Sequence, residues 1–123
     1  MPVTMATVPQ FRMTRRIAGE YTMTLGDEHK DFEDSVGLFS NWRKAGPVYA
    51  LPFSSLYSKK VKNLITAGRC TSVNETLWDI MRVIPCCAVT GEAAGIAAAM
   101  TDDFTAIDIK ELQVRLQKNG VVE

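Results

Sequence analysis

The sequence is poor in the residues from which catalytic and metal sites are usually built. It has one histidine, His29, and three cysteines, Cys70, Cys86 and Cys87, among its 123 residues. The cysteines form no C-x-x-C pair, and one histidine cannot complete a zinc site with them at the usual spacing. An odd cysteine count that includes two neighbours does not fit a secreted disulfide framework. No histidine lies near a serine in the manner of a hydrolase triad.

The glycine-rich loops that hold phosphates are also absent from the sequence. No two of the eight glycines lie two residues apart, so there is no G-x-G-x-x-G, and there is no G-x-x-x-x-G-K-S/T either. These loops present backbone N–H groups to a pyrophosphate at a helix N-terminus. We therefore expect no dinucleotide phosphate site of the usual kind.

Net charge and long apolar runs are lacking too. Fourteen basic residues balance 14 acidic ones, so no overall field attracts nucleic acid or a membrane surface, and we expect neither as a partner. The longest apolar run, 84–100, is shorter than the roughly 20 residues that cross a bilayer and carries Glu92 near its centre. Residues 1–16 have no signal-peptide core, and we expect a reducing cytoplasmic location.

The first half of the sequence favours short strands separated by turns. Strand-forming residues occur within 11–25, at 36–39 and at 48–57. In the first of these they lie at 15–17 and 21–25, on either side of Gly19, and form either one bent strand or two short strands. Pro52 should interrupt the strand at 48–57. The acidic stretch after Leu25 is expected to hold a short helix, and residues 41–47 a loop that contains Gly46-Pro47.

The second half predicts one strand and two helices. Residues 63–67 form a short apolar strand that ends at Gly68. Residues 70–82 are expected to be a connection, in which Asn74 and Asp79 could act as helix caps. A helix that has Pro85 in its first turn should then run to about Met100. A last helix should begin after Asp108, with Glu111 completing a capping box, and end before Gly120.

The helix that ends at Met100 is predicted to be apolar on both sides. At about 100° per residue, its small residues share one face with one larger residue: Ile84, Ala88, Gly91, Gly95 and Ala98. The bulkier residues share the other face: Val89, Ala93, Ile96 and Met100. We expect this helix to be buried between two layers, with either a backbone or a flat ligand against the small face. On that basis Gly95→Leu should overpack the contact.

Two arginines flank the connection that leads to this helix. Arg69 and Arg82 lie on either side of it, and the free N–H groups of a helix N-terminus favour a negative oxygen. Reduced flavin and phosphates both carry such oxygens. The same helix dipole would lower the thiol pKa of Cys86 and Cys87, but we favour the interpretation of this pair as small buried residues.

The stretch 63–100 resembles the closing segment of the FAD-dependent oxidoreductase family. It reads N-L-I-T-A-G-R-C-x-S, then R-V-I-P, then G-E-A-A-G-I-A-A, and the family ends in N-L-L-x-A-G-R-C-x-S, R-V-x-P and G-x-A-A-G-x-A-A. Upstream, R-M-T-R-R-I-A-G at 12–19 resembles the family's R-E-T-R-R-I-x-G, and Leu51-Pro52-Phe53 resembles its I-P-Y. The resemblance extends over 11–118. More distantly, the G-x-A-A-G ending is similar to flavoprotein subunits of succinate dehydrogenase and fumarate reductase.

The resemblance implies FAD as the cofactor and assigns a set of residues to it. By resemblance, the cofactor-binding residues are Gly68, Arg69, Ser72, Arg82, Val83, Ile84, Gly91 and Gly95. The backbone and side chains of residues 82–84 would contact the pyrimidine edge of the flavin, and the two helix glycines would let the helix pack under the cofactor. Arg15 and Arg16 would belong to the substrate-side sheet.

The sequence also departs from the family pattern. Met13 stands where the family has Glu, and residues 73–77 differ from the usual run, so no catalytic residue is assigned. The Gly-rich segment for the ADP half of FAD is not present. We expect a split gene product, a remnant or an artificially shortened piece, which binds free FAD weakly or not at all.

Taken together, the sequence predicts an α/β fragment of a flavin-binding fold. Residues 1–57 would be a strand-rich segment from the substrate-side domain, and 58–123 the strand–helix–helix unit of the FAD-binding domain. The expected function is the C-terminal flavin-contacting part of an FAD-dependent oxidoreductase, inactive alone. Two alternatives are a non-catalytic homo-oligomeric remnant and a small subunit that completes a flavin site on another chain. Because isolated strands expose edges, we expect an oligomer whose interface includes residues from 48–67.

Overall fold

The chain has a mixed α/β fold, seen in a computed structural model that describes residues 12–121. Within that range, short strands form two antiparallel pairs beside three α-helices. The strands are β1 (Ser35–Ser40), β2 (Val48–Pro52), β3 (Tyr57–Ser58) and β4 (Val61–Ile65), and the helices are α1 (Glu75–Met81), α2 (Ile84–Met100) and α3 (Ile109–Lys118). The predicted fold class, short strands followed by helices, is confirmed.

The β1–β2 hairpin supplies a large part of the core. Its strands pair with Phe39 opposite Tyr49, and the two rings stack with centroids 5.2 Å apart. Val36 and Leu51 are fully buried on the same hairpin. The predicted strand at 36–39 and the loop at 41–47 are thus confirmed, and the strand that begins at Val48 ends at Pro52, where the sequence predicts an interruption.

Helix α2 crosses β1 where a glycine leaves room for it. A Cβ atom at Gly37 would lie 2.5 Å from Cγ1 of Val89, so only glycine allows this approach. On the other side of this crossing, α3 packs against α2 and β1 through Leu112 and Leu116, which are fully buried. Burying two leucine side chains contributes about 3–6 kcal/mol of hydrophobic stabilisation.

The ends of α3 are those that the sequence predicts. The Asp108 carboxylate accepts a hydrogen bond from the Glu111 N–H at 3.2 Å and so caps the first turn. Gly120, with φ of +88°, follows the C-cap residue Asn119. The short helix predicted in the acidic stretch is also present, as a 3-10 turn at Leu25–Asp27.

The prediction of strands at 15–25 is wrong. This segment is extended but joins neither sheet, and apart from a single bridge between Met23 and Val73 it has no strand pairing. Its N–H groups bond instead to carbonyls of several loops: that of Ile17 to Cys70 at 2.9 Å and that of Met23 to Ser72 at 3.0 Å. Strand-forming residues favour the extended backbone, but distant loops supply the partners.

The strand predicted at 63–67 exists in a different place and environment. It runs from Val61 to Ile65 and pairs with β3 in an antiparallel hairpin. Although the strand is apolar, its side chains Val61 and Leu64 are each 46% exposed. The reason is that only the two-residue strand β3 pairs with it within residues 12–121.

The connection predicted at 70–82 contains a helix. Asn74 caps α1 as expected, because its side-chain oxygen accepts the Leu77 N–H at 2.9 Å. Asp79 is not a cap but lies within the helix. Leu77 and Ile80 of α1 are buried, and this burial stabilises a helix too short to be stable by itself.

Helix α2 begins at Ile84 and ends at Met100 as predicted, but it is not buried on both sides. The bulky face packs on the core, where Ala93 and Ala97 are fully buried. The opposite face is exposed at all five positions: Ile84, Ala88, Gly91, Gly95 and Ala98. The expected destabilisation by Gly95→Leu is therefore wrong for this chain, because a Cβ atom at Gly95 would meet no atom within 4 Å.

No single helix within residues 12–121 is long and apolar enough to cross a membrane. The pair α1 and α2 reaches the required length and composition only jointly, and the two helices meet at an angle of 89°.

Candidate functional site

The loop after β4 is tied to the side of α2. Gly68 has φ of +69°, a left-handed conformation that L-residues rarely adopt, and its N–H donates to Oγ1 of Thr90 at 2.7 Å. The Thr90 hydroxyl in turn donates to the Cys86 carbonyl at 3.0 Å. A Cβ at Gly68 would lie 3.6 Å from Sγ of Cys87. Gly68 is thus held against the first two turns of α2.

Arg69 presents its side chain to solvent while its backbone is fixed. Its carbonyl accepts the indole N–H of Trp78 at 2.7 Å, and Trp78 is only 7% exposed. The guanidinium of Arg16 lies 4.6 Å from the Trp78 ring centroid, a cation–π contact on the same indole. The Arg69 side chain therefore extends from a rigid backbone position.

The N-terminus of α2 has no side-chain cap. Val83 is the N-cap residue and gives no side-chain hydrogen bond to the first turn, while Pro85 lies within that turn. The first N–H groups of a helix have no partner inside the helix, and the helix dipole makes this end positive. Ile84, 85% exposed, stands beside them. A negatively charged oxygen would be stabilised here.

Arg82 is held by an ion-pair network. Its guanidinium lies 2.9 Å from the Asp79 carboxylate, and Arg43 from the β1–β2 loop contacts the same carboxylate. Burial alone would raise the pKa of Asp79, but the hydrogen bond from Arg82 and the charges of both arginines outweigh it and lower the pKa. Trp42 donates its indole N–H to the Asp79 carbonyl at 3.1 Å. Arg82 thus anchors the start of α2 to the hairpin.

Ser72 is buried on the side of the loop that faces the extended N-terminal segment. Its hydroxyl accepts the Gly19 N–H at 3.0 Å and lies 3.0 Å from Oγ1 of Thr22. These contacts position residues 19–22. The assignment of Ser72 as a cofactor contact comes from the resemblance alone.

The cysteines at the start of α2 differ in environment. Cys86 is 2% exposed, and burial raises the pKa of its thiol to about 11, with a smaller contribution from Cys87. Such a thiol is protonated at neutral pH and is a poor nucleophile. The interpretation of Cys86 as a small buried residue is therefore correct, and the helix dipole does not control its pKa.

The structure brings some of the predicted residues together and leaves others apart. Gly68 lies against α2, and Val83 and Ile84 form its N-terminal end. Gly91 and Gly95 lie further along its exposed face, where a Cβ on either would have open space within 4 Å.

Two functional features were missed by the sequence reasoning. One is the Asp79 bridge between Arg43 and Arg82: the three-residue spacing of Asp79 and Arg82 was a local signal for half of it, but Arg43 lies 36 residues away in sequence. The other is a cavity lined by Arg12, Arg15 and Arg69. The arginines at 12–16 were a signal for it, but their proximity to Arg69 depends on long-range hydrogen bonds.

The uncapped N-terminus of α2 suits the chemistry of a flavin ring. Backbone N–H donors at a positive helix end match the negative charge that reduced flavin gathers at its pyrimidine edge. The exposed small face of α2 leaves room for a flat group or for another chain. A metal site has no comparable support, since residues 12–121 hold no cluster of three His, Cys, Asp or Glu side chains suited to one.

Comparison with known proteins gives a family but no individual relative. No match is found among curated proteins or among solved structures. The family model described as FAD dependent oxidoreductase matches residues 2–116 of the 123. This match covers the strands, all three helices except the end of α3, and every residue assigned to the cofactor by resemblance. The chain therefore belongs to the FAD-dependent oxidoreductase family.

Proposed function

We propose that this chain is the C-terminal, flavin-contacting part of an FAD-dependent oxidoreductase and is inactive alone. The proposal rests on two features of one end of α2. Its N-terminus has no side-chain cap, and its small-residue face is exposed beside it. In a family that uses FAD, an open positive helix end next to a flat surface suits the pyrimidine edge of the flavin.

The proposed roles follow from what each group can donate. The N–H groups of the first turn of α2 would hold the flavin oxygen that becomes negative on reduction. Val83 and Ile84 would lie along the edge of the ring, and Arg82 would position them through Asp79, at 2.9 Å. Arg69 would add a second positive charge from the adjacent loop. The flavin, when bound, supplies the redox chemistry, and the chain supplies orientation and charge.

The domain assignment belongs to the same proposal. Residues 1–57 would derive from the substrate-side domain and 58–123 from the FAD-binding domain. The extended segment 15–23 supports a close connection between them, because it bonds both to the loop after β2 and to the loop after β4: Tyr21 N–H to Ser54 at 3.0 Å and Ile17 N–H to Cys70 at 2.9 Å. The small residues of α2 are also the basis for a distant relation to succinate dehydrogenase and fumarate reductase flavoproteins.

The proposed partner is a companion chain that carries the Gly-rich FAD-binding segment. Without a G-x-G-x-x-G in this sequence, the pyrophosphate of FAD has no helix N-terminus of the usual kind to rest on. We expect the partner to cover the exposed face of α2, completing a flavin site in the cytoplasm.

Calorimetric titration of the chain with FAD tests this function. The chain alone should bind FAD with a dissociation constant well above about 1 μM, which corresponds to roughly −8 kcal/mol. A chain from the same genome that carries the Gly-rich segment should tighten FAD binding at least tenfold in the mixture. Tight FAD binding by this chain alone, or no effect of the companion chain, would contradict the proposal.

The second candidate is a non-catalytic homo-oligomer, and the exposure of β4 favours it. Val61 and Leu64 are each 46% exposed on a strand that, within residues 12–121, pairs with β3 alone. A second copy could pair with the other edge of this strand and cover both side chains. Light scattering distinguishes the candidates: a stable, colourless oligomer that does not respond to the companion chain favours the second, and a monomer that melts cooperatively rules it out.

A further inference from the structure

Three arginines converge on one cavity beside the loop after β4. The cavity, of about 280 Å³, is lined by Arg12, Thr14, Arg15, Ala67, Arg69 and Cys70. This volume is near the lower end of the roughly 300–1,000 Å³ typical of ligand sites. The cavity therefore suits a small ligand.

The backbone holds the arginines from both sides of the cavity. The Ile17 N–H donates to the Cys70 carbonyl at 2.9 Å and so fixes the segment that carries Arg15 beside the loop. On the other side, the Trp78 indole holds the Arg69 carbonyl at 2.7 Å. The arginines come from two segments more than 50 residues apart in sequence, and these two hydrogen bonds fix their approach.

The charges of these arginines are not balanced by the rest of the described chain. Within residues 12–121, the arginines that pair with carboxylates are Arg43, Arg82 and Arg115. Arg12, Arg15 and Arg69 form no ion pair there, and no Asp or Glu lines their cavity. An anion bound among these arginines would be stabilised by their positive charges.

We propose that the cavity of Arg12, Arg15 and Arg69 binds a small anion with two or more oxyanion groups. Guanidinium groups bind carboxylates and phosphates in a two-pronged geometry, and three of them match a ligand with several such groups. Thr14 also lines the cavity. The anion is a polycarboxylate or a phosphate compound, and its binding requires no flavin, so the inference goes beyond the proposed function.

Calorimetric titration of the full chain with citrate and with inorganic pyrophosphate tests the site and separates the two ligand sources. At physiological ionic strength, exposed charges further apart than about 8 Å are largely screened, so binding reports on the cavity itself. At least one of the two anions should bind, with a stoichiometry of one anion per chain. The anion that binds more tightly identifies the carboxylate or the phosphate source.

Substitution of single arginines locates the binding. Arg15→Gln and Arg69→Gln should each weaken binding about tenfold, the effect of losing one charge-assisted hydrogen-bonded pair. Arg16→Gln is the matched control: it removes the same charge one residue further along, but Arg16 stacks on Trp78 and does not line this cavity, so its effect should be less than threefold. The proposal is overturned if neither anion binds, or if all three variants lose affinity for the anion equally. Unchanged melting temperatures show that the variants fold.

Discussion

Helices α2 and α3 pack against each other, yet they differ in how completely this chain covers them. Helix α3 buries Leu112 and Leu116 and otherwise exposes polar side chains, apart from Val114, which is 48% exposed. Helix α2 buries Ala93 and Ala97 but leaves a second apolar face in solvent, with Ile84 85% exposed. A helix that is apolar all round usually lies between two layers. The difference indicates that α2 is built for a second contact, which the proposed flavin and companion chain would provide.

The largest expected effect lies on the covered side of this comparison. Leu112→Ala should lower the free energy of unfolding by about 2–5 kcal/mol, because it leaves a cavity between α3, α2 and β1. Urea denaturation followed by circular dichroism measures it. A loss below about 1 kcal/mol would mean that α3 is not packed on the core as described.

Gly37→Ala tests the contact between β1 and the covered face of α2. Gly37→Ala should cost about 1–3 kcal/mol, since the new Cβ would lie 2.5 Å from Cγ1 of Val89 on the covered face. The urea midpoint should fall accordingly. A control is Gly46→Ala, whose Cβ would meet no atom within 4 Å, although its φ of +112° adds backbone strain. Equal losses in the two variants would show that strain, and not the contact with α2, sets the cost.

Asp79→Asn tests how the start of α2 is anchored. The substitution keeps the shape of the side chain but removes the charge that Arg43 and Arg82 share, and should cost about 1 kcal/mol at pH 7. Because the folded-state pKa of Asp79 is lowered, its contribution is present above the unfolded value of about 3.9 and is lost as the pH falls below it. The stability difference between wild type and variant should therefore shrink towards pH 3. A difference that stays constant between pH 7 and pH 3 would contradict this account.

The smallest expected effect, of opposite sign, lies on the exposed face. Gly95→Ala should raise the free energy of unfolding by about 0.5–1 kcal/mol, because alanine favours the helix and the added methyl group meets no atom within 4 Å. Thermal melts detect such a gain. Destabilisation of a chain shown to be monomeric would mean that something covers this face within the monomer.

How much of the fold could be predicted depends on whether its determinants are local. Helix α3 was predicted with its ends because Asp108, the apolar spacing and Gly120 all lie within the segment. The segment 15–25 was wrongly predicted as strand because its hydrogen-bond partners lie in loops distant in sequence. Helix α1 was missed because seven residues give too little periodicity, and burial of Leu77 and Ile80 stabilises it.

The candidate site shows the same division between local and distant information. The motif from Gly68 to Gly95 pointed to α2 and its N-terminus, and the bounds of α2 agree with the prediction. The burial of α2 was predicted less well. Its apolar composition led us to expect that both faces are covered. Composition does not say whether the layer on the second face belongs to the same chain. The arginine cavity depends on the bond from Ile17 to Cys70, which no local pattern reveals.

The central claim is that the N-terminus of α2 contacts the flavin. It is tested most directly by placing a negative charge at that N-terminus and measuring the FAD affinity of the chain mixed with the companion chain. Ile84→Asp puts a carboxylate beside the N–H groups that would hold the flavin oxygen. It should leave the fold intact, because Ile84 is 85% exposed and an acidic residue suits a helix N-terminus. Val114→Asp, at a 48% exposed position of α3, is the matched control. We predict at least tenfold weaker FAD binding for Ile84→Asp and no change for Val114→Asp; equal affinities in the two variants would contradict the claim that the N-terminus of α2 contacts the flavin.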